Sequence, residues 1–306
     1  MKTKNLIALA TFAITFAATL EVVTRYRQWK QKEIVRLQSE SKIIETALGP
    51  VEYKTLGAGP AVIVAHGSPG GYDQGIAFAR LLNCNDFTFI GVSRPGYLRT
   101  PLASGETPEG QADLYAALLD TLGLPEAAII GISGGGPSTL QFAIRHANRC
   151  RGLVMVSAVT QHYSEDEVNR ILPLRSRLFK QLSDRLLLFD PFLFLLLAMS
   201  KWLSHATAPE DLLNSLVMYP LRKAGYDNDM RQFDVISSYP LEQITVPTLI
   251  VHGTADIDLP FAHAQLLASK VPHARFIPIE GGTHLSFMTH QDIVLPALKE
   301  FLQVLP

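Results

Sequence analysis

The segment Gly131-Ile132-Ser133-Gly134-Gly135 sets one serine among small residues, directly after the apolar run Ala128–Ile132 and before a helical pattern opening near Pro137. So tight a turn from strand to helix strains the backbone of its central residue, and glycines on both sides avoid collisions. The hydroxyl is pushed out at the carboxyl edge of a sheet, where the N-terminus of the next helix favours developing negative charge. This is the setting of a nucleophile. A phosphate-binding turn would instead need a Gly-Lys-Ser/Thr ending or an early G-x-G-x-x-G, and the chain has neither.

A serine nucleophile requires a base, and the base an orienting acid. His252-Gly253-Thr254-Ala255-Asp256-Ile257-Asp258 follows the apolar run Thr248–Val251 and offers two carboxylates. Asp256, the first in the turn, is the expected acid, with Asp258 in reserve. Gly281-Gly282-Thr283-His284 follows the last apolar run, Arg275–Ile279; of the nine histidines only His284 has this placement, and it is the expected base. Acyl transfer further needs two N–H donors aimed at a tetrahedral oxyanion. The loop His66-Gly67-Ser68-Pro69-Gly70-Gly71, after the run Ala61–Ala65, is suited to supply one from Ser68, and Gly134 the other. His66 itself reads as a structural fastening of that loop.

To hold these groups the chain needs a sheet. Apolar runs recur at Ala61–Ala65, Phe87–Val92, Ala128–Ile132, Leu153–Ser157, Thr248–Val251 and Arg275–Ile279. They are continuous rather than alternating, as strands covered by helices on both faces require. Helical patterns at Gln111–Leu122, Pro137–His146, Phe261–Lys270 and Gln291–Val304 follow several of them. The expected class is therefore α/β, a mostly parallel sheet flanked by helices, with Val51–Thr55 as an antiparallel edge. About ninety residues between Ser157 and Thr248 lack strand character, too many for a bare loop. Helix-like stretches at Glu165–Leu172 and Leu212–Met218, and an apolar Leu186–Met199 broken by Asp190-Pro191, make this an expected helical lid. The lid's apolar residues are read as core packing first and as acyl pocket second. The organisation expected is a leading segment 1–24, a helical linker 25–49, a core of 50–158 and 241–306, and a lid 159–240.

Lys2 and Lys4 precede an apolar run from Leu6 to Leu20, and Arg25, Tyr26, Arg27, Trp29, Lys30 and Lys32 follow it. The run is short beside the roughly 20 apolar residues of a spanning helix. Dense charge and interfacial aromatics after it nevertheless suit an uncleaved membrane anchor better than a cleaved signal peptide and secretion. Membrane association through this segment is thus the expectation, and positive charge at both ends leaves its side open. Hydrophobic residues make up 47% of the 306-residue chain and charged ones 18%, which predicts a sizeable core. A formal net charge of −1, with no basic run interleaved with aromatics, argues against nucleic acid. Cys84 and Cys150 lack metal-ligand spacing and read as two core thiols.

Taken together, H-G-S-P-G-G at 66–71, S-R-P-G-Y at 93–97, G-I-S-G-G-G-P at 131–137, H-G-T-A-D at 252–256 and G-G-T-H at 281–284 resemble the α/β-hydrolase superfamily over about residues 50–306. Serine at 133 separates the chain from members with an aspartate nucleophile, and Gly134 from iminopeptidases with tryptophan after the nucleophile. The H-G-G-G loop of many lipases is also absent. The resemblance implies the α/β-hydrolase fold, a structural role for Arg94, and a small-molecule acyl substrate, with a carboxylic ester hydrolase as the default. A C–C bond hydrolase, a perhydrolase, an acyltransferase or a non-catalytic ligand-binding homologue would share the same residues. No metal or organic cofactor is implied.

Overall fold

The computed structural model describes residues 2–203 and 210–306; Met1 of the leading segment and residues 204–209 of the expected lid, with His205, lie outside the described residues. Eight strands form one sheet: β1 (Lys42–Thr46), β2 (Gly49–Leu56), β3 (Ala61–Ala65), β4 (Thr88–Val92), β5 (Ala127–Ile132), β6 (Cys150–Val156), β7 (Thr248–Gly253) and β8 (Arg275–Ile279). Their order is β1-β2-β4-β3-β5-β6-β7-β8, with β1, β2 and β4 paired antiparallel and the rest parallel. The chain runs outward from β3 to β4 and then returns to the other side of β3 as β5. The crevice beyond the carboxyl ends of β3 and β5 is thus a topological switch point, the usual ligand site of an open parallel sheet.

The described helices are α1 (Lys2–Ser39), α2 (Tyr72–Leu82), α3 (Pro108–Thr121), α4 (Gly136–Arg145), α5 (Glu165–Ile171), α6 (Leu174–Leu187), α7 (Asp190–Leu203), α8 (Glu210–Asn214), α9 (Lys223–Asp234), α10 (Ala262–Lys270), α11 (Ser286–Thr289) and α12 (Gln291–Gln303). Successive residues of β3 face opposite sides of the sheet. Ile63 joins Leu118, Phe142 and Leu267 of α3, α4 and α10, whereas Val62 and Val64 join Phe78, Leu298 and Phe301 of α2 and α12. Every residue of β3 and β5 is buried, which is why these strands read as unbroken apolar runs. Cys84 and Cys150 are free and buried in this core, and burial pushes the Cys150 thiol up to about 12.

Helices α5 to α9 fill the interval between β6 and β7. The break expected at Asp190-Pro191 is where α6 has ended and α7 begins, with Pro191 in the first turn, where its missing N–H costs nothing. Around Leu212–Met218 the helix stops at Asn214 and a separate 3₁₀ turn forms at Tyr219–Leu221.

Two expectations need correction. The linker is helical only to Ser39; Lys42–Thr46 forms the outermost strand, paired in register from Lys42↔Tyr53 to Thr46↔Gly49. The expected membrane anchor is also not met: among the described residues no helix is long and apolar enough to cross a membrane. The run Leu6–Leu20 spans about 22 Å at a helical rise of ~1.5 Å per residue, short of a hydrocarbon core of about 30 Å. It is further interrupted by Thr11, Thr15 and Thr19 and closed by Glu21, which pairs with Arg25 at 2.6 Å. The other end of α1 packs on the body of the protein. Leu37 is buried against Tyr72 and Ile76 of α2, and Phe194 of α7 meets Tyr26 edge-on and Trp29 at a tilt.

Candidate active site

Ser133 stands at the first residue after β5 with φ +48°, the left-handed region that side chains with a Cβ rarely occupy. The neighbouring glycines make this turn possible. A Cβ on Gly131 would lie 2.6 Å from Thr139 Oγ1, and one on Gly135 2.4 Å from the Ala65 carbonyl oxygen. The turn thereby packs directly on α4 and on the end of β3, which brings Ser133 beside the loop 66–71.

The loop after β7 brings in Asp256, and the loop after β8 brings in His284. His284 Nε2 lies 3.0 Å from Ser133 Oγ, and His284 Nδ1 lies 2.7 Å from Asp256 Oδ2. An Nδ1–H tautomer satisfies both contacts: the imidazole donates to the carboxylate and leaves Nε2 to accept from the serine hydroxyl. Asp256 is buried; its Oδ1 accepts the N–H groups of Asp258 and Leu259, each at 2.9 Å. His252 Nε2 stands 3.2 Å from Oδ2. Burial works to raise the Asp256 carboxyl, but the imidazole of His284 and these hydrogen bonds outweigh it and hold the group well below the usual carboxylate range. For His284 burial works to lower the proton affinity, and the Asp256 charge overcomes it, leaving His284 above the ordinary histidine value. Asp258 does not contact the imidazole and pairs instead with Lys180 of α6 at 3.2 Å. The ligand atoms of Asp256, Asp258 and His284 lie within 4.8 Å of one another, but protein groups already meet each of them.

Ser68 lies next to Gly134, where an added Cβ would collide with the Ser68 hydroxyl. Among the described residues outside helices and strands, the Ser68 N–H donates to no backbone group; Gly134 lies in the 3₁₀ turn Ser133–Gly135 that opens the helical segment, where the first N–H groups have no intrahelical partner. The side chain of Ser68 is tied down: its hydroxyl donates to Asp229 Oδ2 and accepts from Arg94 Nη2 at 3.1 Å. His66 Nε2 accepts the Arg94 N–H at 3.0 Å and Nδ1 bonds the Gly67 carbonyl at 2.7 Å, so the ring fastens the loop as a neutral group. Burial, with Arg94 nearby, keeps it well below the ordinary histidine value.

Three residues around this loop, Asp229, Arg222 and Asp73, carry no signal in the sequence, though two of their partners, Arg94 and Tyr97, lie in the S-R-P-G-Y segment. Asp229 of α9 accepts from Arg94 Nη1 and Nη2 at 2.8 and 2.5 Å and from the Tyr97 hydroxyl at 2.5 Å. Reciprocally, Arg222 beside α9 donates to Gly70 O at 2.6 Å and to both oxygens of Asp73 at 3.1 and 2.9 Å. Both arginines are fully buried. Each pair joins the helical insertion to the core at the loop 66–71. Nothing in a lone Asp or Arg of a charged helical segment distinguishes burial from exposure, so contact across some 135 residues was needed to find them.

Above Ser133 and His284 lies a cavity of about 340 Å³ whose walls are mostly apolar, among them Leu187, Leu212, Leu216, Met230, Phe233 and Phe287. Polar groups at its lining include Glu165, Lys180, Asp184 and Asp258. Such a volume accommodates a small molecule.

The fold is shared with known proteins. The family model of the alpha/beta hydrolase fold matches residues 60–291, and the chain belongs to that family. An uncharacterised hydrolase of Bacillus subtilis is 30% identical over 237 residues, covering 70% of this chain and 82% of that protein. An alpha/beta hydrolase fold protein from Nakamurella multipartita superposes with a TM-score of 0.69 at 37% identity, over 86% of this chain and 98% of the other. A thermophilic esterase from Thermogutta terrifontis shares the fold at 21% identity and a TM-score of 0.63, covering 86% and 98%.

Proposed function

We propose that the protein is a serine hydrolase that cleaves a carboxylic ester or related acyl bond of a small apolar substrate, with Ser133 as nucleophile, His284 as general base and Asp256 as orienting acid. The observation that carries this reading is the line Asp256–His284–Ser133, bonded at 2.7 and 3.0 Å on the floor of an apolar cavity. Neutral His284 takes the hydroxyl proton as Ser133 Oγ attacks the acyl carbon, and Asp256 stabilises the imidazolium without accepting its proton. The N–H groups of Ser68 and Gly134 receive the oxyanion, the one from the loop after β3 and the other from the turn that opens the helical segment after β5. His284 then protonates the leaving group, and water resolves the acyl-enzyme by the same route in reverse. In this reading residues 159–240 act as a lid that roofs the cavity and keeps water from the acyl-enzyme.

Two measurements test it. With p-nitrophenyl esters of increasing chain length, kcat/KM should favour medium or long chains, because the walls are aliphatic and aromatic; a clear preference for acetate contradicts the apolar acyl site. The pH profile of kcat/KM should rise along one acid limb whose midpoint lies above about 6.5, since only neutral His284 can accept the proton and Asp256 strengthens its hold on one. A flat profile between pH 5 and 8 counts against His284 as base.

A further inference from the structure

Lys180 is out of place for a lysine. It sits in α6, on the outer half of the insertion, yet its side chain is only 4% exposed and its ammonium faces the cavity floor. Lysines are almost never fully buried unless paired. Here two carboxylates from different elements hold it, Asp184 of α6 itself at 2.9 Å and Asp258 of the loop after β7 at 3.2 Å. The first contact is a local pair one helical turn along. The second crosses from the insertion to the loop that carries Asp256, and the Asp258 carboxylate lies within 4.8 Å of the ligand atoms of both Asp256 and His284.

The charges facing His284 can be named element by element. Asp256 touches Nδ1, and His252 at the end of β7 touches Asp256. Asp258 stands beside them, with Lys180 behind it from α6. Asp184 neutralises the same ammonium, and Glu165 of α5, bonded to the Tyr226 hydroxyl at 2.9 Å, completes the ionised lining of the cavity. Tyr163 donates its hydroxyl to the Asp258 carbonyl at 3.0 Å. Among the described residues, the ion-pair partner of the Asp258 carboxylate, beside the base, is Lys180 of the insertion.

We propose that Lys180 is a positioning residue for His284: by pairing with Asp258 it seats α6 on the loop of the acid and cancels a negative charge that would otherwise favour the protonated, inactive imidazole. The inference rests on His284 being the general base. With α6 seated, the charge of Asp258 is matched and His284 is free to accept a proton near neutral pH. With α6 displaced, Asp258 stands alone beside the ring and the ring holds its proton to higher pH. Seating of the outer insertion and readiness of the base are thereby one event.

The test is the acid limb of kcat/KM for the full chain with p-nitrophenyl butyrate, since that limb reports the free enzyme's base. A charge within 4–6 Å shifts a partner by about 1–3 units when buried; Asp258 is partly solvated, so about half a unit to one unit is expected. Lys180→Met should move the midpoint up by that amount, Asp258→Asn should move it down, and Lys180→Arg should keep it near wild type. Asp258→Asn, on a partly exposed loop, is an independent arm if Lys180→Met does not fold. Limbs that coincide with wild type, or that move in the same direction in Lys180→Met and Asp258→Asn, overturn the proposal while leaving His284 as base. A wild-type profile with no ionisation between pH 5 and 8 overturns the base assignment itself, a different failure with a different signature.

Discussion

The insertion has two halves that are held in opposite ways. From Tyr219 to Asp234 it is fixed by buried charge: Arg222 and Asp229 each reach the core, and each meets a partner beside the loop 66–71. From Glu165 to Leu187 it presents apolar side chains to solvent, with Phe179 67% and Leu178 56% exposed, and Lys180 is its buried charged link to the floor. The difference assigns them different work. Removing the first half would leave Arg94 buried without its carboxylate and Asp73 with Arg36 alone, and would take away the carboxylate that holds Ser68. The charged links of the second half, Lys180 with Asp184 and Asp258, do not reach the loop 66–71.

That contrast can be broken by mutation. Asp229→Ala strands Arg94 in the core and should cost about 3–5 kcal/mol in urea unfolding, as loss of one member of a buried pair does. Arg222→Met should cost less, about 2–3 kcal/mol, because Gly70 O loses its donor while Asp73 keeps Arg36 at 3.7 Å. A loss under about 1 kcal/mol in both variants would mean these pairs behave as surface bridges. Ser68→Ala keeps the backbone N–H but releases the loop from Asp229; about 1.5–3 kcal/mol is expected for a hydrogen bond to a charged group, with kcat falling more than KM rises. Phe179→Ser, on the other half, should change stability by no more than about 0.5 kcal/mol.

A pH-dependent difference sharpens the comparison further. Asp256 is held below its unfolded value, so its contribution to stability is complete above about pH 3.9 and is lost as pH falls from there towards the folded value. His284 works in the other direction: its contribution is complete below about pH 6.5 and fades as pH rises through its raised folded value. The urea midpoint should therefore fall on acidification below pH 4 less steeply in Asp256→Asn than in wild type, and equal slopes would show that the carboxylate carries no such coupling.

How much of this was readable before the structure follows from burial. Ala61–Ala65 is legible with its observed bounds because a strand covered on both faces leaves an apolar run whatever surrounds it; Arg275–Ile279 has the same bounds in sequence and structure, although as the edge strand only its Ile279 is buried. Lys42–Thr46 was missed because an outer strand, half exposed and adjoining a charged helix, reads KIIET with no clear period. Helix α2 was not read as helical, opening as it does with Tyr72-Asp73-Gln74-Gly75 after a glycine pair. Ser133, Asp256 and His284 could be nominated because each follows directly on an apolar run. Asp229, Arg222 and Lys180 could not, since their burial is set by contacts between segments far apart in the chain. The leading run Leu6–Leu20 misleads in the opposite way: the charge and aromatics after it suit a membrane interface, but Tyr26 and Trp29 pack on Phe194 and the run itself is too short to span.

The most direct test of the central claim is labelling of the folded protein with a fluorophosphonate probe, followed by mapping of the modified peptide. Labelling at Ser133 alone, abolished in Ser133→Ala and strongly slowed in His284→Ala, is the result expected of a serine activated by its neighbouring imidazole. A folded wild-type protein that takes no label, or that is labelled at another residue with Ser133 untouched, would contradict the account.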